Sequence, residues 1–277
     1  MSILGNDEGP RGLLIEALQL ARAIESSRAR NRIAQFYPDE DQPGFPARRK
    51  YTKHLEFFRL GATVPSRFAM SGNGTGKSEG MGGYECVHHW RGEYPPWWEG
   101  VRYEFPVDSW VVGQSHESVR EILQRKLLGN PYEEEMGGGL IPTDWLVPNS
   151  IKRMSTPAGR IDSFEVKHIS GGKSRIKLKS YDQGADAFFG NEVPFIRLDE
   201  PPPIDIYSQC VARGRNVEKF RILITATPVK LDQQQRETVR MFLEVPDPSR
   251  VFIKAGWADA PHLTEEYKRV TRANTPA

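Results

Sequence analysis

The sequence predicts an α/β fold, a mostly parallel central sheet flanked by helices with a helical appendage at the N-terminus. Three observations carry that prediction. A glycine-rich run, Ser71-Gly72-Asn73-Gly74-Thr75-Gly76-Lys77-Ser78, follows directly on the apolar stretch Phe68-Ala69-Met70. Two later apolar runs stop abruptly at polar side chains: Val193-Pro194-Phe195-Ile196-Arg197-Leu198 at Asp199-Glu200, and Ile222-Leu223-Ile224 at Thr225-Ala226-Thr227-Pro228. Stretches of helical periodicity are interspersed with such runs. Buried strands of a parallel sheet read as short apolar runs that open into loops. Ligands of such sheets gather at the carboxyl ends of the strands. Residues 71–78, Asp199 with Glu200, and Thr225 to Thr227 are therefore expected to converge on one crevice.

The remaining elements follow in chain order. Leu14, Ala17, Leu18, Ala21, Ile24 and Ile33 recur at helical spacing with Arg and Glu between them, which predicts an amphipathic helix or helical pair over 13–36, ending before Tyr37-Pro38. Residues 39–50 are acidic, then Pro/Gly-rich, then basic, and read as a linker or a loop on the surface. A short helix over 51–60 leads to the first strand near 67–70. A helix over 76–90 follows the glycine-rich run, and Gly80, Gly82 and Gly83 within it imply close packing on the sheet. Tyr94-Pro95-Pro96-Trp97-Trp98 is an aromatic loop expected to cover a core edge. A strand over 107–113 precedes a helix over 115–128, marked by Ser115 and Ser118 at its start and by Val119, Ile122, Leu123 and Leu127. Gly137-Gly138-Gly139 reads as a mobile loop, 161–180 as a β-hairpin with one wet face, and 251–253 as the last strand. The expected division is a helical segment and linker over 1–50, one α/β domain over 51–265 and a tail over 266–277.

Composition sets bounds. With 277 residues, 38% apolar and 27% charged, the chain suits an ordinary globular protein. A formal net charge of +2 makes no case for nucleic acid by itself, although basic clusters stand at 28–32, 48–50 and 173–179. Cys86 and Cys210, far apart, are expected to be reduced thiols. Cys86, His88 and His89 lack a second ligand pair, so zinc is not expected. No run approaches the roughly 20 apolar residues of a membrane span, and the N-terminus lacks a signal-peptide core, so a protein that is neither membrane-bound nor exported is expected.

The glycine-rich run suits a nucleoside triphosphate. Glycines let the backbone wrap a polyphosphate with its N–H groups inward, the following helix offers its positive end, Lys77 meets the β/γ-phosphates and Ser78 can hold Mg²⁺. Ser71 stands where the usual pattern has its first glycine. Such a loop needs a second strand ending in acids, one for the metal and one to align or deprotonate the attacking water, and Asp199-Glu200 supplies it.

This order of motifs resembles the ATPase half of the large terminase subunit of tailed bacteriophages. The resemblance rests on the loop 71–78, on Leu198-Asp199-Glu200-Pro201-Pro202, on a following Ala212-Arg213, and on Ile224-Thr225-Ala226-Thr227-Pro228, and it spans about residues 50–265. It implies a P-loop NTPase of the ASCE type, and a motor that threads double-stranded DNA, without sequence preference, into a procapsid through the portal. ATP and Mg²⁺ would be its cofactors, and its partners would be the portal protein, the small terminase subunit and further copies of itself in a ring, all in the host cytoplasm. Carried onto this chain, residues 71–78 would cradle the phosphates, Lys77 and Ser78 would hold phosphate and Mg²⁺, Asp199 would support the metal, Glu200 would be the catalytic carboxylate, and Thr225 and Thr227 would sense the γ-phosphate. The segment matching the family's adenine contact is Tyr51-Thr52-Lys53-His54, without the usual Gln.

The resemblance also implies an arginine finger. The loop contains no Arg, and Phe188-Phe189-Gly190 stands where some relatives carry an Arg-Gly pair, which leaves Arg213 or Arg215, then Arg120 or Arg125, as candidates. The family's nuclease domain has no counterpart pattern here: Asp259, Glu265 and Glu266 read as surface charge, so no cleavage is expected. Two other readings are a helicase-like nucleic-acid-dependent ATPase, for which too little chain follows Pro228, and a non-catalytic nucleotide-binding assembly adaptor.

Overall fold

Strand-forming residues assemble one continuous sheet in the computed structural model, which describes residues 31–130, 138–155, 160–228 and 231–274 together with scattered helical positions from 12 to 19. The strands are β1 (Ser66–Ser71), β2 (Asp108–Gly113), β3 (Lys152–Arg153), β4 (Ile161–Lys167), β5 (Lys173–Ser180), β6 (Phe195–Asp199), β7 (Arg221–Ala226) and β8 (Arg250–Ala255). Their order is β3-β4-β5-β2-β6-β7-β1-β8. Every pairing from β5 to β8 is parallel, while β3–β4 and β4–β5 are antiparallel. The mostly parallel sheet flanked by helices that the sequence predicts is the one observed.

The period of two along each strand sorts side chains onto two faces. Ala69, Val111, Phe195 and Leu223 share one core with α1 (Thr52–Leu60), with α2, and with α3. Helix α2 opens as a wide turn over Lys77–Gly83 and continues over Tyr84–Arg91; α3 is built from His116–Ser118, Val119–Gln124 and Arg125–Leu128. Phe68, Val112, Ile196, Leu198, Ile222 and Ile224 share the opposite core with α4 (Ile204–Ala212) and α5 (Gln233–Glu244). Sequence reading assigns neither α4 nor α5, since both are short and α5 starts in a run of glutamines. Asp232 nonetheless caps α5, accepting from the Gln235 N–H at 2.8 Å. The expected start of α3 is observed, the Ser115 hydroxyl accepting from Ser118 N–H and the Ser118 hydroxyl from Ser115 N–H.

The N-terminal helix is observed in its described part, and the correction falls on its expected end near Ile33. Leu14, Ile15, Ala17, Leu18 and Gln19 are helical, Ala21 and Ile24 lie outside the described residues, and Ile33 sits in a separate 3₁₀ turn, Arg32–Gln35. The acidic-then-basic linker is a paired loop, with Arg48 on Asp39, Arg49 on Glu40 and Lys50 on Asp41 at 2.7, 3.1 and 2.6 Å. In the expected hairpin, Lys173, Arg175 and Lys177 face solvent while Ser174, Ile176 and Leu178 face the core. Trp98 is buried against Phe58, with ring centroids 4.9 Å apart, so the aromatic loop does cover the core edge.

The histidines of α2 and both cysteines are taken up in packing. His88 Nδ1–H donates to the Glu93 carbonyl at 2.5 Å, and His89 Nε2 bonds Glu85 Oε1 at 3.0 Å. Burial pushes both the Cys86 and Cys210 thiols up to about 12. On β1, the fully buried Arg67 donates to both Glu85 oxygens, at 2.5 and 3.1 Å, and to the Phe57 carbonyl at 2.6 Å. No helix among the described residues is long and apolar enough to cross a membrane.

Candidate nucleotide site

Register brings the strand ends level. Met70 pairs with Ala226 and Asp199 with Thr225, so the glycine-rich loop, the acids and the threonines leave the sheet along one edge. Gly74 and Gly76 have φ of +77° and +83°, a region that costs L side chains energy and glycine little. Left-handed residues alternating with others in this way curl the backbone into a concave row of N–H groups. Ser71 ends β1 and is buried, and its hydroxyl lies 2.6 Å from that of Thr75, whose hydroxyl donates in turn to the Gly72 carbonyl at 2.9 Å. The departure from glycine thus closes the neck of the loop. Lys77 is 8% exposed and its Nζ reaches the Gly72 carbonyl at 3.4 Å. Burial pushes its pKa down, against the pull of Glu200 and Asp199.

Of the glycines of α2, Gly82 packs on the sheet as expected, where a Cβ would lie 2.8 Å from Arg197 Nε. Gly80 instead packs away from the sheet, on Tyr37 and His54, and a Cβ there would lie 2.8 Å from the Tyr37 hydroxyl. Arg197, which interrupts the apolar run of β6 in sequence, is fully buried beneath this helix. Its Nη2 donates to the Ser78 carbonyl at 2.8 Å and to Asp199 Oδ1 at 3.3 Å, tying the loop's end to the first acid. Thr225 Oγ1 also donates to Asp199 Oδ1, at 3.2 Å. Ser78 and Asp199 therefore offer oxygen donors from two elements held together by one guanidinium, a donor chemistry that suits a hard cation such as Mg²⁺.

Glu200 stands in the left-handed region at φ +67°, rare for a residue with a side chain. Its N–H donates to the Thr225 carbonyl at 2.8 Å, and its own carbonyl accepts from the Tyr181 hydroxyl at 2.8 Å. Its carboxylate is gripped by the Thr227 N–H and hydroxyl, both at 2.9 Å. Burial raises its pKa, with Asp199 adding to the rise and Thr227 and Lys77 opposing it. A carboxylate poised this way is suited to accept a proton.

Beside the loop lies a cavity of about 260 Å³ lined by Phe36, Tyr37, Tyr51, His54, Gly76 and His262 among others. Tyr51 and His54 belong to the segment expected to contact a base; Phe36, Tyr37 and His262 were not foreseen. Tyr37 OH donates to His54 Nδ1 at 2.6 Å, and Tyr51 stacks on His262 with ring planes 19° apart. Burial lowers the His54 pKa to about 4, so this ring is neutral.

Arg213, the first candidate for a finger acting on a neighbouring copy, stands apart from the crevice of its own chain. It follows the end of α4, its guanidinium donates to the Gly190 carbonyl and its own carbonyl accepts from Val193 N–H, at the edge where β6 begins. Asp199 is a strand's length away, roughly 16 Å. Arg215 lies in the next turn at the same edge, and Arg120 pairs with Glu121 on α3 at 2.7 Å. Lys126, unremarked in sequence, is the basic residue of α3 that senses the crevice: burial lowers its pKa, while Glu79 and Asp199 pull it up.

Comparison with known proteins agrees with this geometry. The family described as terminase large subunit, T4likevirus-type, N-terminal, matches residues 68–277. The large terminase subunit of Salmonella phage P22 is 30% identical over 280 residues, covering 95% of this chain and 52% of that protein. The large terminase of a thermophilic bacteriophage, solved in complex with ADP, superimposes with a TM-score of 0.55 at 13% identity, over 82% of this chain and 50% of that one. The ATPase domain of the Thermus phage P74-26 large terminase gives 0.52 at 17% identity, over 80% and 87%. The chain thus spans about half the length of the first two of these proteins. With the glycine-rich loop, the acid pair and the threonine strand end assembled along one sheet edge, and with a family match over most of its length, the chain belongs to the large terminase subunit family, matching its N-terminal part.

Proposed function

We propose that this chain is the ATP-hydrolysing motor of a viral DNA-packaging terminase, its domain spanning residues 51–265. The observation that carries the reading is the grip of Thr227 on Glu200 beside the Lys77 loop, since it links the acid that would handle water to the strand end that would move. The relatives solved with ADP and with ATP-γ-S support a nucleotide ligand. The loop amides and Lys77 hold the β/γ-phosphates, and the cavity lined by Tyr37, Tyr51 and His262 takes the base. Ser78 and Asp199 hold Mg²⁺, which when bound neutralises charge on the phosphate oxygens. Glu200 orients the water and takes its proton. Departure of the γ-phosphate frees Glu200 and Thr227 to re-form their bonds, which pulls on β7 and the loop after it.

The substrate is double-stranded DNA, held through its phosphates without sequence preference. Lys173, Arg175 and Lys177 on the wet face of β5 are the candidate contacts, although Glu165 draws on the first two, at 4.0 and 3.6 Å. Portal, procapsid and small subunit are the partners, in the host cytoplasm. The arginine finger comes from a neighbouring copy in the ring, and Arg213 and Arg215, at the far sheet edge, act in that way or not at all. Cleavage is not assigned to these residues: Asp259 is engaged by the Gly256 N–H at 2.8 Å and Glu265 by Lys268 at 2.8 Å. The test is steady-state ATP hydrolysis with and without linear double-stranded DNA. Stimulation that weakens as salt rises is expected, because phosphate contacts release counterions. Nucleotide binding with no turnover under any condition would favour the adaptor instead, and strand separation a helicase.

A further inference from the structure

Three consecutive carbonyls of the phosphate loop are each hydrogen-bonded from outside by an aromatic N–H. Trp257 Nε1–H donates to Asn73 O at 3.1 Å, His262 Nε2–H to Gly74 O at 2.7 Å, and His54 Nε2–H to Thr75 O at 3.0 Å. The donors come from opposite ends of the chain, α1 on one side and the 3₁₀ turn Trp257–Asp259 with its following loop on the other. Each has a second support. Tyr37 OH donates to His54 Nδ1 at 2.6 Å and Tyr51 OH to His262 Nδ1 at 3.2 Å, which fixes the hydrogen of both imidazoles on Nε2. The Arg272 guanidinium lies 5.5 Å over the Trp257 ring.

A planar trans peptide holds its C=O and the next residue's N–H on opposite sides. Fixing the carbonyls of Asn73, Gly74 and Thr75 outward therefore aims the N–H groups of Gly74, Thr75 and Gly76 inward. Those three amides have no hydrogen-bond partner among the described residues. Glycines at 74 and 76 make this backbone soft, since neither side chain restricts its rotation. The loop's shape must then come from its surroundings.

We propose that Trp257, His262 and His54 are positioning residues for the triphosphate, which hold the loop open as a row of inward amides before the nucleotide arrives. The proposal rests on the reading of residues 71–78 as the phosphate site and names what preorganises it. It adds Trp257 to the nucleotide site and gives His262, which already lines the cavity proposed for the base, a second role at the loop. Binding gains because the ordering of the loop is already done in the free protein.

The test uses this chain, Mg²⁺ and the non-hydrolysed analogue AMP-PNP, with affinity measured by calorimetry. Trp257→Phe keeps the ring and removes the N–H, and Trp257 does not line the base cavity. It is expected to weaken binding roughly three- to tenfold, the worth of one hydrogen bond. His262→Leu is expected to weaken binding by a similar factor, and His262→Gln, whose amide N–H can reach the same carbonyl, to recover most of the loss. A purely space-filling role would give no such rescue. Unchanged affinity in both Trp257→Phe and His262→Leu, with binding abolished in Lys77→Ala, would overturn the proposal. Unchanged affinity in Lys77→Ala would instead overturn the phosphate-site reading beneath it.

Discussion

Glu200→Gln is expected to bind ATP and fail to turn it over, with hydrolysis reduced about 10²–10⁴-fold, the range for loss of a general base. The argument starts from geometry. The substitution is isosteric, so Gln can still accept from the Thr227 N–H and can donate to the Thr227 hydroxyl, and the strained backbone at φ +67° is retained. What disappears is the basic oxygen, whose proton affinity burial and Asp199 have raised. Binding depends on the loop and Lys77 and should be little changed. Rapid-quench turnover beside equilibrium ATP binding separates the two effects. Hydrolysis at the unaltered rate would remove Glu200 from the chemistry and leave its strain and its grip on Thr227 as structural features.

Glu85→Ala is expected to cost about 3–5 kcal/mol of stability, the cost of leaving a buried charge without its partner. Arg67 and Glu85 are both fully buried between β1 and α2, and His89 bonds the same carboxylate. Burial disfavours the ionised carboxyl, but Arg67 and His89 together outweigh it and hold the Glu85 pKa below its usual value. A carboxyl depressed on folding contributes stability that is present above its unfolded pKa, about 4.3, and is lost as pH falls through the lower folded value. Acid unfolding of the parent should therefore steepen below that pH, and Glu85→Ala should flatten the dependence. Urea denaturation gives both numbers. Replacing the pair together, Arg67→Met with Glu85→Leu, should restore much of the loss, since apolar substitutes of similar volume often match a buried ion pair. A single-variant cost under about 1 kcal/mol, the scale of an exposed pair, would mean that water reaches Arg67.

Much of this molecule can be read from residues that are neighbours in sequence. The loop 71–78, the acid pair and Thr225–Thr227 each announce a strand end by the residue types that terminate an apolar run, and parallel register then brings them together. The glycines of α2 foretell close packing, though not what lies beneath. Arg197 looks like a flaw in a strand until the fold sets its guanidinium against the Ser78 carbonyl, 119 residues away. Trp257 and His262 meet the loop across 184 and 188 residues, and no local periodicity marks a contact of that range. Arg213 is close to Glu200 in sequence but not in space, because α4 carries it back to the opposite edge of the sheet, where it donates to the Gly190 carbonyl. The basic cluster at 48–50 has its partners close by in sequence, the acids at 39–41.

The central claim is that the crevice where β1, β6 and β7 end is an ATP-hydrolysing site. Its most direct test is steady-state ATP turnover as a function of protein concentration, for the unaltered chain and for Lys77→Ala. Turnover that rises more than linearly with concentration and vanishes in the variant is the predicted result, since Lys77 is the cation buried in the loop and Arg213 is held at the opposite edge of the sheet. Turnover that survives Lys77→Ala at every concentration would contradict the account.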